Sequence, residues 1–278
     1  MGLFHKIKII FTRMVEPSLP YTSDEKRYGN EGEDEFVLDI QARLPDCKIK
    51  KNIIVQTAEG NAEIDCLILY KSKLFAIEVK RWKGRIVERG GNFIQYKWDQ
   101  WTDETHTKTL KSPFKQLRRA VFLLRKQIPE DAWVNDIVFF ENSHDIKIES
   151  DNVWFDDMDA LVSHIVSSGK TARGNTASKF FDKAVAADCL YSAAWDKTSH
   201  CIICDNSLRF TTACGMLDKN DISYITIEHH LSYDNLYITT REGICHTVEI
   251  ENGSVYVTEN GDRCCYGLSK IDYIQIGN

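Results

Sequence analysis

The residues of this 278-residue chain whose types and spacing could do chemistry lie between positions 63 and 80. Glu63-Ile64-Asp65-Cys66-Leu67-Ile68-Leu69 leads through a short break into Phe75-Ala76-Ile77-Glu78-Val79-Lys80. Both runs read as strands, and side chains alternate faces along a strand, so Glu78 and Lys80 point the same way. Asp65 falls near the start of the first strand and Glu78 near the end of the second. In an antiparallel hairpin those two ends are neighbours, so an Asp, a Glu and a Lys can converge at one end of a sheet. Hard Mg2+ or Mn2+ ions bind such carboxylates while keeping waters. Such an ion lowers the pKa of a bound water and neutralises charge on a phosphodiester, while the Lys can orient the nucleophile or stabilise the pentavalent phosphate.

As a bare spacing this pattern is weak, because charged residues end many strands. Its flanks strengthen it. Glu78 and Lys80 follow the apolar run Leu74 to Ile77, which puts them at the rim of a buried strand. Directly after comes Arg81-Trp82-Lys83-Gly84-Arg85, a basic run with an aromatic inside it. Such a run suits phosphate contact and base stacking, with a solvated turn as the competing reading.

The elements that must position these groups are legible along the chain. Residues 29–44 place Phe36, Val37, Ile40 and Leu44 at helical spacing behind an acidic first turn. Three β-rich runs follow, Lys48 to Thr57, Ala62 to Tyr70 and Leu74 to Lys80. They are separated by hairpin breaks at Glu59-Gly60-Asn61 and Lys71-Ser72-Lys73. A fourth strand starts at Arg85 and a fifth covers Phe93 to Trp98. From Pro113 the pattern is helical, with Phe114, Leu117, Val121 and Leu124 on one face and Pro129 as the stop. Trp133 to Phe140 reads as an apolar strand and Asp156 to Ser167 as a helix ending at Gly169. The expected fold is α/β, a sheet begun by a meander and completed by a strand after a crossover helix.

A boundary is set in the polar stretch Gly169 to Asn175. Beyond it come a helix from Ala177 to Trp195 and short β-runs punctuated by Asn-Gly and Asp-Asn turns, up to Ile271–Ile276. This gives an N-terminal extension (1–27), an α/β core (28–170) and a helix plus β-rich module (176–278). Charge divides in the same way. Residues 1–130 hold 24 Lys and Arg against 18 Asp and Glu, a net of +6, and the remainder holds 11 against 23, a net of −12. The whole-chain value of −6 therefore does not exclude a nucleic-acid partner.

At the level of motifs the chain resembles the NERD (nuclease-related) domain, a branch of the PD-(D/E)xK, restriction-endonuclease-like superfamily. Gly32-Glu33 on the first helix, Glu63-Ile64-Asp65, and Glu78-Val79-Lys80 followed by Gly84 carry the resemblance. Ser112-Pro113-Phe114-Lys115-Gln116 is similar to the family's later Asn-Pro-x-x-Gln element, with Ser112 in place of Asn. The likeness covers about residues 28–165 and keeps the order of elements. It implies a restriction-endonuclease-like core, a mixed central sheet flanked by helices, that hydrolyses DNA with Mg2+ or Mn2+. Asp65 and Glu78 would be metal ligands, Lys80 the catalytic lysine, Glu33 a further acidic ligand or water-positioning group, and Gln116 a supporting residue. Arg81, Trp82, Lys83 and Arg85 would grip the nucleic acid. Cys66 stands where the family often has His, and it faces away from Asp65. The resemblance further suggests defence against foreign DNA, beside a partner ATPase or helicase, and a homodimer for double-strand cleavage. The alternative is a nuclease fold that binds nucleic acid or protein without catalysis.

Lesser signals stay open. His200-Cys201-x-x-Cys204, with Cys214, Cys245, His246, Cys264 and Cys265, could bind zinc, although Cys201 to Cys204 also reads as a buried strand. His229-His230 reads as a strand position, and Trp98 with Trp101 as core or edge packing before a nucleic-acid groove. Nine cysteines without a secretion signal read as reduced thiols of a cytoplasmic protein. No apolar stretch is long enough for a membrane helix. No phosphate-binding Gly-x-x-x-x-Gly-Lys loop and no Gly-x-Ser-x-Gly elbow is present, which argues against an ATPase or an acyl hydrolase.

Overall fold

The computed structural model describes residues 24–99, 103–128, 133–141, 145–169, 176–192, 197–230, 232–259 and 262–277. The readings of residues 1–23, Trp101 and Pro129 lie outside them. Two compact units emerge, Ser23–Ala184 and one containing Val185–Asn278. The division falls after the helix at 176–183, not in the glycine-containing stretch before it. No described helix is long and apolar enough to cross a membrane.

In the first unit, helix α1 (Asp24–Arg43) precedes the meander β1 (Lys48–Thr57), β2 (Gly60–Tyr70) and β3 (Lys73–Lys80). Strands β4 (Arg85–Arg89), β5 (Asn92–Asp99) and β6 (Glu104–Leu110) come next, then α2 (Pro113–Arg125) and β7 (Val134–Phe140). The short strands β8 (Ile146–Lys147) and β9 (Trp154–Phe155) lead to α3 (Met158–Ser168) and α4 (Thr176–Lys183). The main sheet has the order β1-β2-β3-β7-β9. β1, β2 and β3 pair antiparallel, and β7 lies parallel to β3. The expected mixed sheet, completed by a strand after a crossover, is what forms.

Alternation along β3 decides which helix covers which face. Phe75, Ile77 and Val79 pack in one core with Phe36 and Ile40 of α1 and Leu161 and Ile165 of α3. Glu78 and Lys80 therefore lie on the other face, which α2 covers with Phe114, Leu117, Val121 and Leu124. Pro113 opens α2 with its fixed φ, and Ser112 caps it, its Oγ accepting from Lys115 N at 3.4 Å. Ser and Asn are interchangeable as N-caps, so Ser112 keeps the function of the Asn it replaces.

A second sheet, β6-β5-β4-β8, belongs to the same unit. Gly84 makes its entry possible. Its φ is +84°, and a Cβ there would meet Tyr96 O at 2.3 Å, so only glycine lets β4 fold back this tightly on β5. Strand β6 escaped the sequence reading. Glu-Thr-His-Thr-Lys-Thr carries no apolar alternation, because both its faces are largely exposed.

The second unit is built on β10 to β19. Strands β10 (Asp188–Ser192), β11 (Lys197–Cys204), β14 (Ile222–His229), β15 (Asp234–Thr240) and β16 (Cys245–Ile250) contribute to an eight-stranded sheet. It is completed by β17 (Ser254–Glu259), β18 (Asp262–Gly267) and β19 (Tyr273–Gln275), while β12 (Arg209–Thr212) and β13 (Gly215–Asp218) form a separate hairpin. Every pairing in the large sheet is antiparallel. The helix expected over 177–195 stops at Lys183, and part of its length is strand β10. Alanine content favours helix there, but Asp188 is drawn inside to accept from Cys204 N at 2.6 Å and Gly277 N at 2.7 Å. Lys219 Nζ sits 2.7 Å from the same carboxylate. Tertiary hydrogen bonds of a buried charge outweigh a weak helix propensity.

Candidate active site

The ladder between β2 and β3 runs as far as Cys66 opposite Ile77 and stops one step short of Asp65 and Glu78. β3 keeps pairing with β7 as far as Lys80 opposite Phe140. On the other edge of β2 the ladder passes from Lys51 opposite Cys66 to Ile53 opposite Ile64, and Asn52 between them takes φ +49°. Asparagine tolerates that left-handed conformation better than most residues. Asp65 thus occupies the one position where its strand is released by both neighbours. Its Oδ2 accepts from Val79 N at 2.9 Å, replacing the backbone partner that β3 lacks there.

Into this opening project the predicted groups. Glu78 is fully buried. Lys80 Nζ lies 2.5 Å from Glu78 Oε1 and 3.7 Å from Asp65 Oδ2. The Lys80 ammonium is the donor that meets Glu78 Oε1, and Oε2 has none. Burial, then the charge of Asp65, pushes the Glu78 carboxyl up to about 8, with Lys80 opposing. Glu33 reaches the same end of the sheet from α1. Burial and then Asp65 push its carboxyl up to about 8, against the pull of Lys51 and Lys80. Lys80 is held above the usual lysine range despite its burial, because Asp65, Glu78 and Glu33 all favour its charge.

Three carboxylates around one ammonium leave the cluster short of positive charge. Among the described residues, no three acidic, His or Cys groups close round a point as a finished metal cage. Mg2+ does not require one, since it is held by one or two carboxylates with waters and substrate phosphate. Asp65 and Glu78, the latter with a buried oxygen that has no donor, fit that need, and Glu33 is close enough to feel the charge of Asp65.

The remaining sequence candidates are placed differently. Arg81 is engaged inside the fold. Its guanidinium pairs with both Glu35 oxygens, at 3.3 and 2.9 Å, and its Nε lies 3.4 Å from Glu141 Oε2. Trp82 packs against Phe93 and Phe140 at ring distances of 5.8 and 5.7 Å, in a cluster extended by Phe114 and Trp154. Both side chains are half-buried and already engaged by these contacts. Lys83 and Arg85 are exposed, Arg85 with Asp145 3.3 Å away. Gln116 lies on the exposed side of α2, and the hydrogen bonds and ion pairs of the cluster do not include it.

Several contributors were missed. Glu63 shares a strand face with Asp65 by simple alternation, and its charge raises both Glu33 and Glu78. Lys51 acts on Glu33 and pairs with Asp34, which only the β1–β2 register reveals. Gly32 is a third. A Cβ there would meet Glu141 Oε2 at 2.5 Å and Arg81 Cδ at 2.8 Å, so its bare backbone lets α1 approach closely enough to deliver Glu33.

The second unit offers no comparable chemistry. Cys204 is buried, which pushes its thiol up, and the described residues bring no metal-holding set together. The side chains of His200 and Cys201 lie outside the described residues. His229 ends β14 and is buried. Its Nδ1 is 2.8 Å from Asp234 Oδ1 and its Nε2 3.0 Å from Ile271 O. Trp98 is 62% exposed, contrary to the packing expectation.

Raised carboxyls make stability fall with pH when no cation is bound. Glu33 and Glu78 ionise near 4.5 when unfolded and near 8 when folded, so the folded chain holds more protons between those values. Stability is therefore expected to drop progressively from about pH 4.5 to about pH 8 and to level off above. Urea denaturation in EDTA at pH 6 and pH 9 checks this, and added Mg2+ should reverse the loss at pH 9.

Comparison with curated proteins and with solved structures returns no match. The family comparison does: residues 28–141, spanning Glu33, Asp65, Glu78, Lys80 and Gln116, match the model of the nuclease-related domain. Residues 28–141, within the first unit of this chain, are therefore similar to the NERD, or nuclease-related domain, family.

Proposed function

We propose that the chain is a divalent-metal-dependent nuclease that hydrolyses DNA phosphodiester bonds. The observation that carries this reading is Glu78, fully buried beside Asp65, with Oε1 met by the Lys80 ammonium and Oε2 lacking a donor. A structural ion pair would not leave a carboxylate so poorly satisfied in a wedge opened between strands, because buried polar groups otherwise find partners. Asp65 and Glu78 would hold Mg2+ or Mn2+, with Glu33 beside them. A bound divalent ion supplies charge neutralisation on the phosphate and a more acidic water.

The chain's own contribution can be assigned to particular atoms. Lys80 keeps its proton at neutral pH, since three carboxylates stabilise its charge. It thus serves as a fixed cation for the nonbridging phosphate oxygens and as a hydrogen-bond donor to the attacking water, and it does not remove a proton. Asp65 holds β2 and β3 at fixed spacing through Val79 N, which preorganises the wedge. A role in clearing foreign DNA with a partner ATPase or helicase, in a reducing cytoplasm, fits this activity, as does a homodimer acting on two strands.

The test is incubation of the purified chain with DNA and Mg2+ or Mn2+, beside Asp65→Ala and Lys80→Ala. Removing a positioned catalytic group costs roughly 10²- to 10⁴-fold, so both variants should fall by at least the lower figure. Equal cleavage by all three proteins would show a contaminating activity and leave a binding module without catalysis.

A further inference from the structure

We infer that the outward face of the β6-β5-β4-β8 sheet is a platform for single-stranded nucleic acid. Residue pairing assigns side chains to its two faces. Phe93 and Gln95 of β5 point inward, Phe93 onto Trp82 and Phe114, and Gln95 Nε2 to Lys83 O at 2.7 Å. Tyr96 and Trp98 alternate with the next residues of β5, and Ile94 precedes them on the same face, so both rings look outward. Arg85 lies opposite Tyr96 on β4, and Thr105 lies opposite Trp98 on β6. Arg89 shares this face from β4, and Lys147 joins it from β8 opposite Val87.

Charge identifies the occupant. The paired positions of this face carry three basic residues and no Asp or Glu. Asp145 approaches from the edge, half exposed and 3.3 Å from Arg85. A sheet face with cations, hydroxyls and two aromatic rings, one of them 62% exposed, fits a polyanion whose bases stack. Spacing identifies its form. Residues two apart on a strand stand about 7 Å apart. Stacked bases rise only about 3.4 Å. Successive bases can lie on both Tyr96 and Trp98 only when they are unstacked from each other, which a duplex does not allow.

The platform also begins at the right place. Arg85 follows Lys80 by five residues, which limits their separation to about 18 Å. Its sense rests on the phosphodiesterase reading of the Lys80 cluster, but binding can be measured without cleavage, so the two can fail separately. The experiment titrates a labelled thymidine 20-mer, and a duplex of mixed sequence, with the full-length chain in EDTA at two or more salt concentrations. The variants are Trp98→Ala, Thr107→Glu and the double Arg85→Ala/Arg89→Ala. All change exposed residues, and circular dichroism checks that each folds. Trp98→Ala should weaken single-strand binding roughly 5- to 150-fold, the value of one lost stacking ring. The arginine pair should lower the salt slope by about 1.4. Thr107→Glu should weaken binding by placing an acid among the cations. Wild-type affinity in both Trp98→Ala and Thr107→Glu, or a duplex bound more tightly than the single strand, would overturn the platform whether or not the chain cleaves DNA.

Discussion

Glu78→Gln is expected to abolish cleavage while leaving the metal-free protein as stable as the native chain at pH 7 and more stable at pH 9. The two halves of this result have one cause. With its carboxyl pushed up to about 8, Glu78 is mostly protonated at neutral pH when no cation is present, and Gln imitates that form. Above pH 8 the native chain must ionise a fully buried group with one oxygen lacking a donor, and the variant need not. Cation binding asks the opposite, because the ligand must lose its proton before it can coordinate. Gln cannot do so, and cleavage should fall by roughly 10³-fold or more, about 4 kcal/mol of transition-state stabilisation. Paired urea melts at pH 7 and 9 and a cleavage assay would check it. Native-like cleavage would remove Glu78 from the ligand set, and a strongly destabilised variant at pH 9 would mean that its carboxylate supports the fold.

The second large effect is expected in the other unit. His229→Leu should destabilise the C-terminal sheet by about 3–5 kcal/mol, because two buried acceptors, one of them a carboxylate, lose a hydrogen-bond partner. The imidazole bridges two buried acceptors, the Asp234 carboxylate and Ile271 O. Asp272 Oδ1, 3.7 Å from Nε2, adds a second carboxylate to the same interior. Leucine fills the space and leaves both acids facing apolar atoms. Thermal unfolding of the full chain should show a transition lowered by more than about 10 °C. Pairing His229→Leu with Asp234→Asn should recover part of the loss, since the amide has no charge to strand. No change in unfolding would mean that the buried ring contributes nothing net.

The central triad could be read from sequence because its geometry is local. Asp65, Glu78 and Lys80 sit on two adjacent strands joined by a two-residue turn, and alternation plus antiparallel pairing fixes their convergence. The Glu33 assignment needed the family resemblance, since nothing in a helix says which sheet end it will reach. The basic run after Lys80 misled for a related reason. Arg81 and Trp82 look like solvent groups in the sequence, but Glu35, Glu141, Phe93 and Phe140 are far away in the chain and absorb them. Exposed β6 left no apolar period to detect, and the buried Asp188 overrode an alanine-rich helix signal. Contacts and exposure set by the tertiary fold decide these cases, and a single sequence does not display them.

Asp65 also constrains how this fold can change over evolutionary time. Its carboxylate would do two jobs, since the group proposed to hold a cation also joins β2 to β3 through Val79 N. Lys80 and Glu78 have no such duty to the backbone, and replacing Glu78 relieves a buried carboxyl that is costly to ionise. A lineage that gave up cleavage would therefore lose Lys80 or Glu78 first and keep Asp65, or an Asn with the same acceptor, long afterwards. An Asp65 retained alone thus testifies to the fold, and Glu78 and Lys80 retained with it testify to catalysis.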